Sequence, residues 1–444
     1  RKYCCISPSL CEAMVVSRIV GNHRAFAALT DAGRVICWGD AESGGDCKKV
    51  QDQISDGVTE ICASAAAFAA LKTDGSVITW GHSHYGGDSR GVRQQLQDVT
   101  SLTATESAFA AVKGGNSVIT WGNSANGGDS DSVKHRLFDV QQIFSNKVAF
   151  AALKTDGRIV CWGDADCGGD CRSICEELTE INAAKVSSIH SSPYAFAALR
   201  SDGSILTWGD PDSGGDSTQV CEALQNEVKQ IASTDDAFAV IKSSGQVVTW
   251  GDAASGGDSS SVRNGLRNIV DVAATRSSFA ALTKDGSVVC WGDPLSGGNP
   301  GAVQDQLSTA VRKLTATRAA FGALKEDGSV VVWGDVRHGA NFKSVANIIS
   351  SGVKDIFANN ASFMAMKDNG GLVTWGDESQ AASSVLPRVP DINRIFATKF
   401  AFALLRKDGS VLAWGDPAAG GDYTAVEKEL SQSSAKAPTS SEFH

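Results

Sequence analysis

The 444-residue chain carries 50 acidic against 40 basic side chains, a net charge of −10. That balance argues against a nucleic-acid partner, since neutralising phosphates with Lys and Arg supplies most of such affinity. No apolar run reaches the ~18 residues that cross a membrane, and the 42% hydrophobic share is that of an ordinary globular chain.

Residues 1–15 hold Cys4, Cys5 and Cys11 and show no similarity to any other part of the chain. From Val16 one pattern returns ten times, with units starting near residues 16, 58, 99, 140, 186, 228, 269, 311, 353 and 392. Its Phe recurs at Phe26, Phe68, Phe109, Phe150, Phe196, Phe238, Phe279, Phe321, Phe363 and Phe402. A Trp stands twelve residues after each, at Trp38, Trp80, Trp121, Trp162, Trp208, Trp250, Trp291, Trp333, Trp375 and Trp414, and every one precedes a Gly. These are all ten tryptophans of the chain. Self-similarity at such a period is the mark of a repeat architecture, in which no unit of 39 to 46 residues buries a core alone.

Within a unit, V-x-x-I (Val58/Ile61, Val140/Ile143) opens as a strand, and A-F-A-A-L forms a second. An Asp-Gly pair such as Asp74-Gly75 then predicts a tight primed turn, and S-V-V-T-W-G a third strand rich in β-branched residues. Asn116 replaces the turn Gly in one copy, and Asn is the residue next best able to take positive φ. This stretch never changes length, as expected of a core. After the Trp comes D-x-x-x-G-G-D-S, where the Gly pair breaks the strand and Asp-Ser offers an N-cap. Apolar residues at i and i+4, as in Val92/Leu96 and Val262/Leu266, predict a short helix of about two turns. The ninth unit lacks Gly-Gly-Asp and places Pro387 in its would-be helix, which predicts a loop. The fourth unit holds an insertion before Val186, and residues 431–444 read as a disordered polar tail.

The motif A-L-x-x-D-G-x-V-x-x-W-G-D-x-x-x-G-G resembles the repeat of the RCC1 (regulator of chromosome condensation) family across residues 16–430. The resemblance implies a mainly β fold, a β-propeller, here of ten three-strand-plus-short-helix units where the family has seven blades. Two features depart from the family. Ala-Phe stands where it commonly has His-Thr, and G-G-D-S where it has G-Q-L-G. The first and last units keep the full apolar signature and neither looks like a polar cap, which favours a closed ring over an open superhelix or a seven-plus-three split.

Four sets of residues are candidates for chemistry. The Trp array resembles the light-sensing tryptophans of a plant member of the family, but those lie outside the WG position that all ten occupy here, so a core role is expected. Asp46, Asp88, Asp129, Asp170, Asp216, Asp258 and Asp422 stand directly after the Gly pairs and would form a carboxylate series, suited to capping and, as the lesser alternative, to calcium. Cys37/Cys47 and Cys161/Cys171 occupy the same two positions of units one and four, where other units have Thr and Ser, and are candidate disulfides. Cys175 and Cys221 are a further candidate pair. The run Cys167, Cys171, Cys175 and the pair His82 and His84 are weak as metal sites. No catalytic motif is present, and no cofactor is implied. The expectation is a non-enzymatic scaffold that binds a protein partner or large assembly through its loops and short helices. The alternatives are a structural subunit, a nucleotide-exchange factor for a small GTPase, and a calcium- or sugar-binding propeller.

Overall fold

The structure is a computed structural model and describes residues 15–175, 184–376, 384–386 and 388–431. Most of the N-terminal extension, most of the fourth-unit insertion and almost all of the C-terminal tail lie outside these residues.

Each repeat folds as one antiparallel sheet with its strands in chain order. In the first, Val16–Gly21 pairs with Ala25–Thr30, which pairs with Val35–Gly39. The register sets Phe26 opposite Trp38, and the same pairing holds in every blade. Across the ten blades the two rings stack with centroids 5.1 to 5.9 Å apart. Every opening strand carries an irregularity at its start, as at Val58/Glu60, which turns a flat hairpin into a strongly twisted one.

The Asp-Gly turn differs from the primed form expected. Lys72 donates to Ser76 O and Gly75 to Lys72 O, and among the turn residues only Gly75 takes positive φ (+76°). This is a three-residue loop, a type I turn followed by a left-handed residue, which needs one permissive position where a primed turn needs two. Asn116 fills that position with φ of +58°.

The helices are also corrected. Most are 3₁₀ turns, such as Lys48–Gln53, Lys134–Arg136 and Ser260–Val262, and α-helix occurs only at Arg172–Cys175, Ala346–Ile349 and Glu427–Ser431 among the described residues. The cause is the short path to the next blade. The residue just before its first strand turns the chain sharply with positive φ, as at Asp98, Asp139 and Asn268, and most of these segments stop short of a second turn, the seven-residue 3₁₀ segments Thr218–Leu224 and Gly301–Leu307 being the longest among the described residues. The apolar stripe still reaches the core, since Leu96, Leu137, Leu266 and Leu430 are buried. In the ninth blade Ser384–Leu386 pairs with Leu372–Gly376 as a fourth strand, where a loop was expected.

The blades close into a ring. The turn between first and second strands donates one backbone bond to the equivalent turn of the next blade: His23 to Ala65, Ala65 to Glu106, Glu106 to Lys147, Lys147 to Pro193, Asp235 to Arg276, Arg276 to Arg318, Arg318 to Asn360, Asn360 to Lys399, and Lys399 back to His23. The circle has a single gap, at Pro193, which has no N–H to give Asp235. At the closing junction, Val16, Ile19, Phe26 and Trp38 pack with Ala401, Leu405, Val411 and Leu430 in one core. A core shared in this way by two neighbouring blades recurs around the ring, as where Ala149, Leu153 and Cys161 meet Ile189, Phe196 and Trp208. Closure therefore excludes the open superhelix and the seven-plus-three split: last blade covers first, and no unit keeps its own Phe and Trp dry.

Candidate functional site

Two surfaces present side chains that the cores do not consume. The outer one is the loop after each Trp. In blade 1, Asp40 accepts from the Ser43 N–H at 3.0 Å and holds the first bend. Gly44 comes next with φ of +94°, so close to the next blade that a Cβ would lie 2.8 Å from Phe68 Cδ2. Its carbonyl accepts the Trp80 indole N–H at 3.0 Å. The same bond ties Trp121 to Gly86, Trp162 to Gly127, Trp208 to Gly168, Trp250 to Gly214, Trp291 to Gly256, Trp333 to Gly297 and, at the closure, Trp38 to Gly420, whereas the indole N–H groups of Trp375 and Trp414 have no acceptor among the described residues. The Gly-Gly loop of one blade is thus the lid on the Trp of the next.

The aspartates after the Gly pair accept the backbone N–H two residues on, at 2.8 to 3.0 Å: Asp46 from Lys48, Asp88 from Arg90, Asp129 from Asp131, Asp170 from Arg172, Asp216 from Thr218, Asp258 from Ser260 and Asp422 from Thr424. Each closes a local Asx-type turn that bends the chain out of the Gly pair. Side-chain bonds from Arg90 and Arg172 hold Asp88 and Asp170 below the usual carboxylate range. Backbone bonds from Thr218, Ser260 and Thr424 do the same for Asp216, Asp258 and Asp422. The structure does not bring these carboxylates together, and among the described residues no three His, Cys, Asp or Glu side chains are grouped to hold a metal. His82 and His84 lie with ring centroids 5.8 Å apart, with no third ligand among the described residues.

The two cysteine pairs part company. Cys161 and Cys171 form a disulfide with Cα atoms 5.8 Å apart, while Cys37 and Cys47 are free thiols in contact. Burial pushes the Cys37 thiol well up. At these positions other blades place a Thr–Ser hydrogen bond, Thr79–Ser89 at 2.9 Å and Thr120–Ser130 at 3.0 Å, so the pair is a cross-link point whichever chemistry fills it. Cys290 faces no cysteine, and burial raises its thiol to about 12. Cys167 and Cys221 are free thiols, and the Cys175 side chain lies outside what the structure describes.

The inner surface escaped the sequence reading. The turn between the first two strands of every blade gives three residues to an axial cavity of about 850 Å³. The middle one is always a small polar residue four before the Phe, as Asn22, Ser64, Thr105, Asn146 and Thr234. It bridges the ring's inner and outer edges: Asn22 donates to Ser43 O at 2.6 Å, Thr105 to Asn126 O at 3.0 Å and Thr234 to Ser255 O at 3.1 Å. The third residue differs from blade to blade and includes His23, Glu106, Lys147, Asp235, Arg276, Arg318 and Lys399. Burial, then Lys399 and Lys147, lower His23 to about 4. The signal was available as a Ser, Thr or Asn at one fixed place in every copy.

A closed ring of antiparallel sheets with side-chain-filled junctions around an axial cavity is a β-propeller. A model of the "Regulator of chromosome condensation (RCC1) repeat" matches residues 269–297, the stretch from the first strand of blade 7 to its outer Gly. The other nine blades repeat that pattern, and the chain is a tandem array of RCC1-like repeats. No curated protein matches the sequence. Among solved structures it is similar to Prp20p from Saccharomyces cerevisiae, described with its binding properties to Gsp1p and histones (14% identity, 92% of this chain and 84% of that one, TM-score 0.36). It is also similar to yeast RCC1 (Prp20) bound to Kap60 (15%, 74% and 72%, 0.35) and to the computationally designed Ika8 protein (15%, 73% and 97%, 0.32). Likeness at these scores carries no weight for function. Among the described residues no helix is long and apolar enough to cross a membrane.

Proposed function

We propose that the ring is a non-enzymatic scaffold that binds a protein partner through the segments following each Trp. One observation carries this reading. Phe138, Leu295, Val336 and Val385, four of the five exposed large apolar side chains among the described residues, all lie in those segments. Leu295 and Val336, 80% and 62% exposed, stand on the neighbouring blades 7 and 8, each just past its Trp. Leu295 stands on a backbone pinned by the Trp333–Gly297 and Leu295–Asp293 bonds and Val336 on one bent by the Arg337 N–H to Asp335 bond, so both are preorganised for contact, since little entropy remains to be lost on binding. The strands spend their apolar residues on each other, so on the outer edge of the ring variation between blades falls in these loops.

The test is capture of proteins from a native extract on the intact ring and on a Leu295→Glu/Val336→Glu variant of equal thermal stability. A partner held by the first and lost by the second is expected, and identical capture by both would end the reading. Nucleotide-exchange assays on small GTPases should show no acceleration, and added calcium should leave the melting temperature unchanged.

A further inference from the structure

The axial cavity carries charge that the fold does not use. Its rim holds four cations, Lys147, Arg276, Arg318 and Lys399, against two carboxylates, Glu106 and Asp235, an excess of two positive charges inside a protein whose total is −10. Among the described residues none of the four cations forms an ion pair. They also act on one another. Burial holds Lys399 below the usual lysine range; Glu106 opposes this, while Arg318 and Lys147 add to it. Like charges that act on one another across the rim, with no ion pair among the described residues to offset them, cost the ring free energy.

Their order around the ring is not scattered. Arg276, Arg318, Asn360, Lys399 and His23 succeed one another on blades 7, 8, 9, 10 and 1, an unbroken arc of donors. Their backbones are fixed to one another by the circle of hydrogen bonds at 2.9 to 3.3 Å. Lys147 stands apart on blade 4 with its ammonium 5.3 Å from the Tyr194 ring centre.

We propose that the axial cavity binds a small phosphate-bearing anion of two or more negative charges, held by Arg276, Arg318 and Lys399. Two excess cationic charges call for a dianion, which a phosphate group supplies near neutral pH. A phosphate offers three acceptor oxygens, which suits donors arriving from three separate blades, whereas a carboxylate offers two. The guanidinium fork matches that geometry. A volume of about 850 Å³ fits a small molecule. This inference does not rest on the protein-binding reading, which concerns the opposite edge of the blades.

The experiment is titration calorimetry of the intact chain with inorganic pyrophosphate at low salt, with succinate as a dicarboxylate control. Saturable pyrophosphate binding is expected, weakened about tenfold or more in Arg276→Gln/Arg318→Gln. The variant Arg90→Gln/Arg172→Gln, which removes equal charge from the outer loops, should bind as the parent does. Lys399→Gln supplies a second, single-site variant should the double one fold poorly, and it too should weaken binding. No saturable binding by the intact chain, equal loss in the outer-loop variant, or succinate binding as tightly as pyrophosphate would each overturn the assignment.

Discussion

The junction between blades 3 and 4 and the junction between blades 9 and 10 are built on the same three strands yet are sealed differently. At the first, Val140 and Ile143 are buried, Trp162 is 2% exposed, and its indole donates to Gly127 O at 3.0 Å. At the second, Ile392, Ile395 and Trp414 are only half-buried, and among the described residues the Trp414 N–H has no acceptor. The Phe–Trp stack loosens from 5.1 to 5.9 Å. Blade 9 has the strands but not the Gly-Gly-Asp loop, and continues instead into a fourth strand. The difference teaches that a blade's Trp is kept dry by the loop of its neighbour, so each repeat's stability is written in the repeat before it.

That contrast can be broken or sharpened by measurement. Trp162→Ala should cost about 3–5 kcal/mol in denaturant unfolding, the range for emptying an aromatic core site. Trp414→Ala should cost less than half as much, and equal costs would mean that the outer loop does not seal the Trp. Gly127→Ala attacks the lid itself, because φ is +95° and a Cβ would stand 2.5 Å from Phe150 Cδ2. Left-handed strain and overpacking together put its cost at about 2–4 kcal/mol, whereas Gly115→Ala, with open space around the new methyl, should show no steric penalty in the same unfolding assay.

The disulfide comes next in size. Joining residues ten apart stabilises by about 2–3 kcal/mol on the loop-entropy account, so reductant should lower the unfolding midpoint of the parent and leave Cys161→Thr/Cys171→Ser unmoved. In blade 1, Cys37→Thr/Cys47→Ser installs the Thr–Ser bond of other blades and should change stability by less than about 1 kcal/mol. A last effect is read along the pH axis and belongs to His23. Its protonation is disfavoured in the folded ring, where its pKa is about 4 against 6.5. Between those values the unfolded chain binds more protons, so stability falls as pH drops from 6.5 to 4 and levels off below. His23→Gln should remove that slope from a series of melting curves; an unchanged slope would place the titration elsewhere.

The sequence was most legible where one residue type recurs at one place. Phe150, Trp162 and the Asp-Gly turns recur because each blade meets the same packing problem, and closure was foreshadowed by ends as apolar as the middle. The turn class was misjudged because the strand register, with Lys72 bonded to Ser76, leaves three residues in the loop, and the short helices because their length depends on how sharply the chain must swing into the next blade, a distance that no single repeat contains. The inner arc stayed hidden for another reason. Arg276, Arg318 and Lys399 share a position but not an identity with Ala65 and Pro193, and a reading built on what repeats passes over what varies.

By itself, then, the amino-acid order determined ten strand triplets, their in-register Phe–Trp pairs and the loops that separate them, since these arise from local periodicity and from the left-handed positions that Gly and Asn supply. Only the tertiary structure decided that the tenth blade meets the first, that Cys161–Cys171 bonds while Cys37–Cys47 does not, and that unlike residues some forty positions apart share one cavity. Those outcomes depend on distances summed around the whole ring, where a small rotation per blade either closes the circle or misses it.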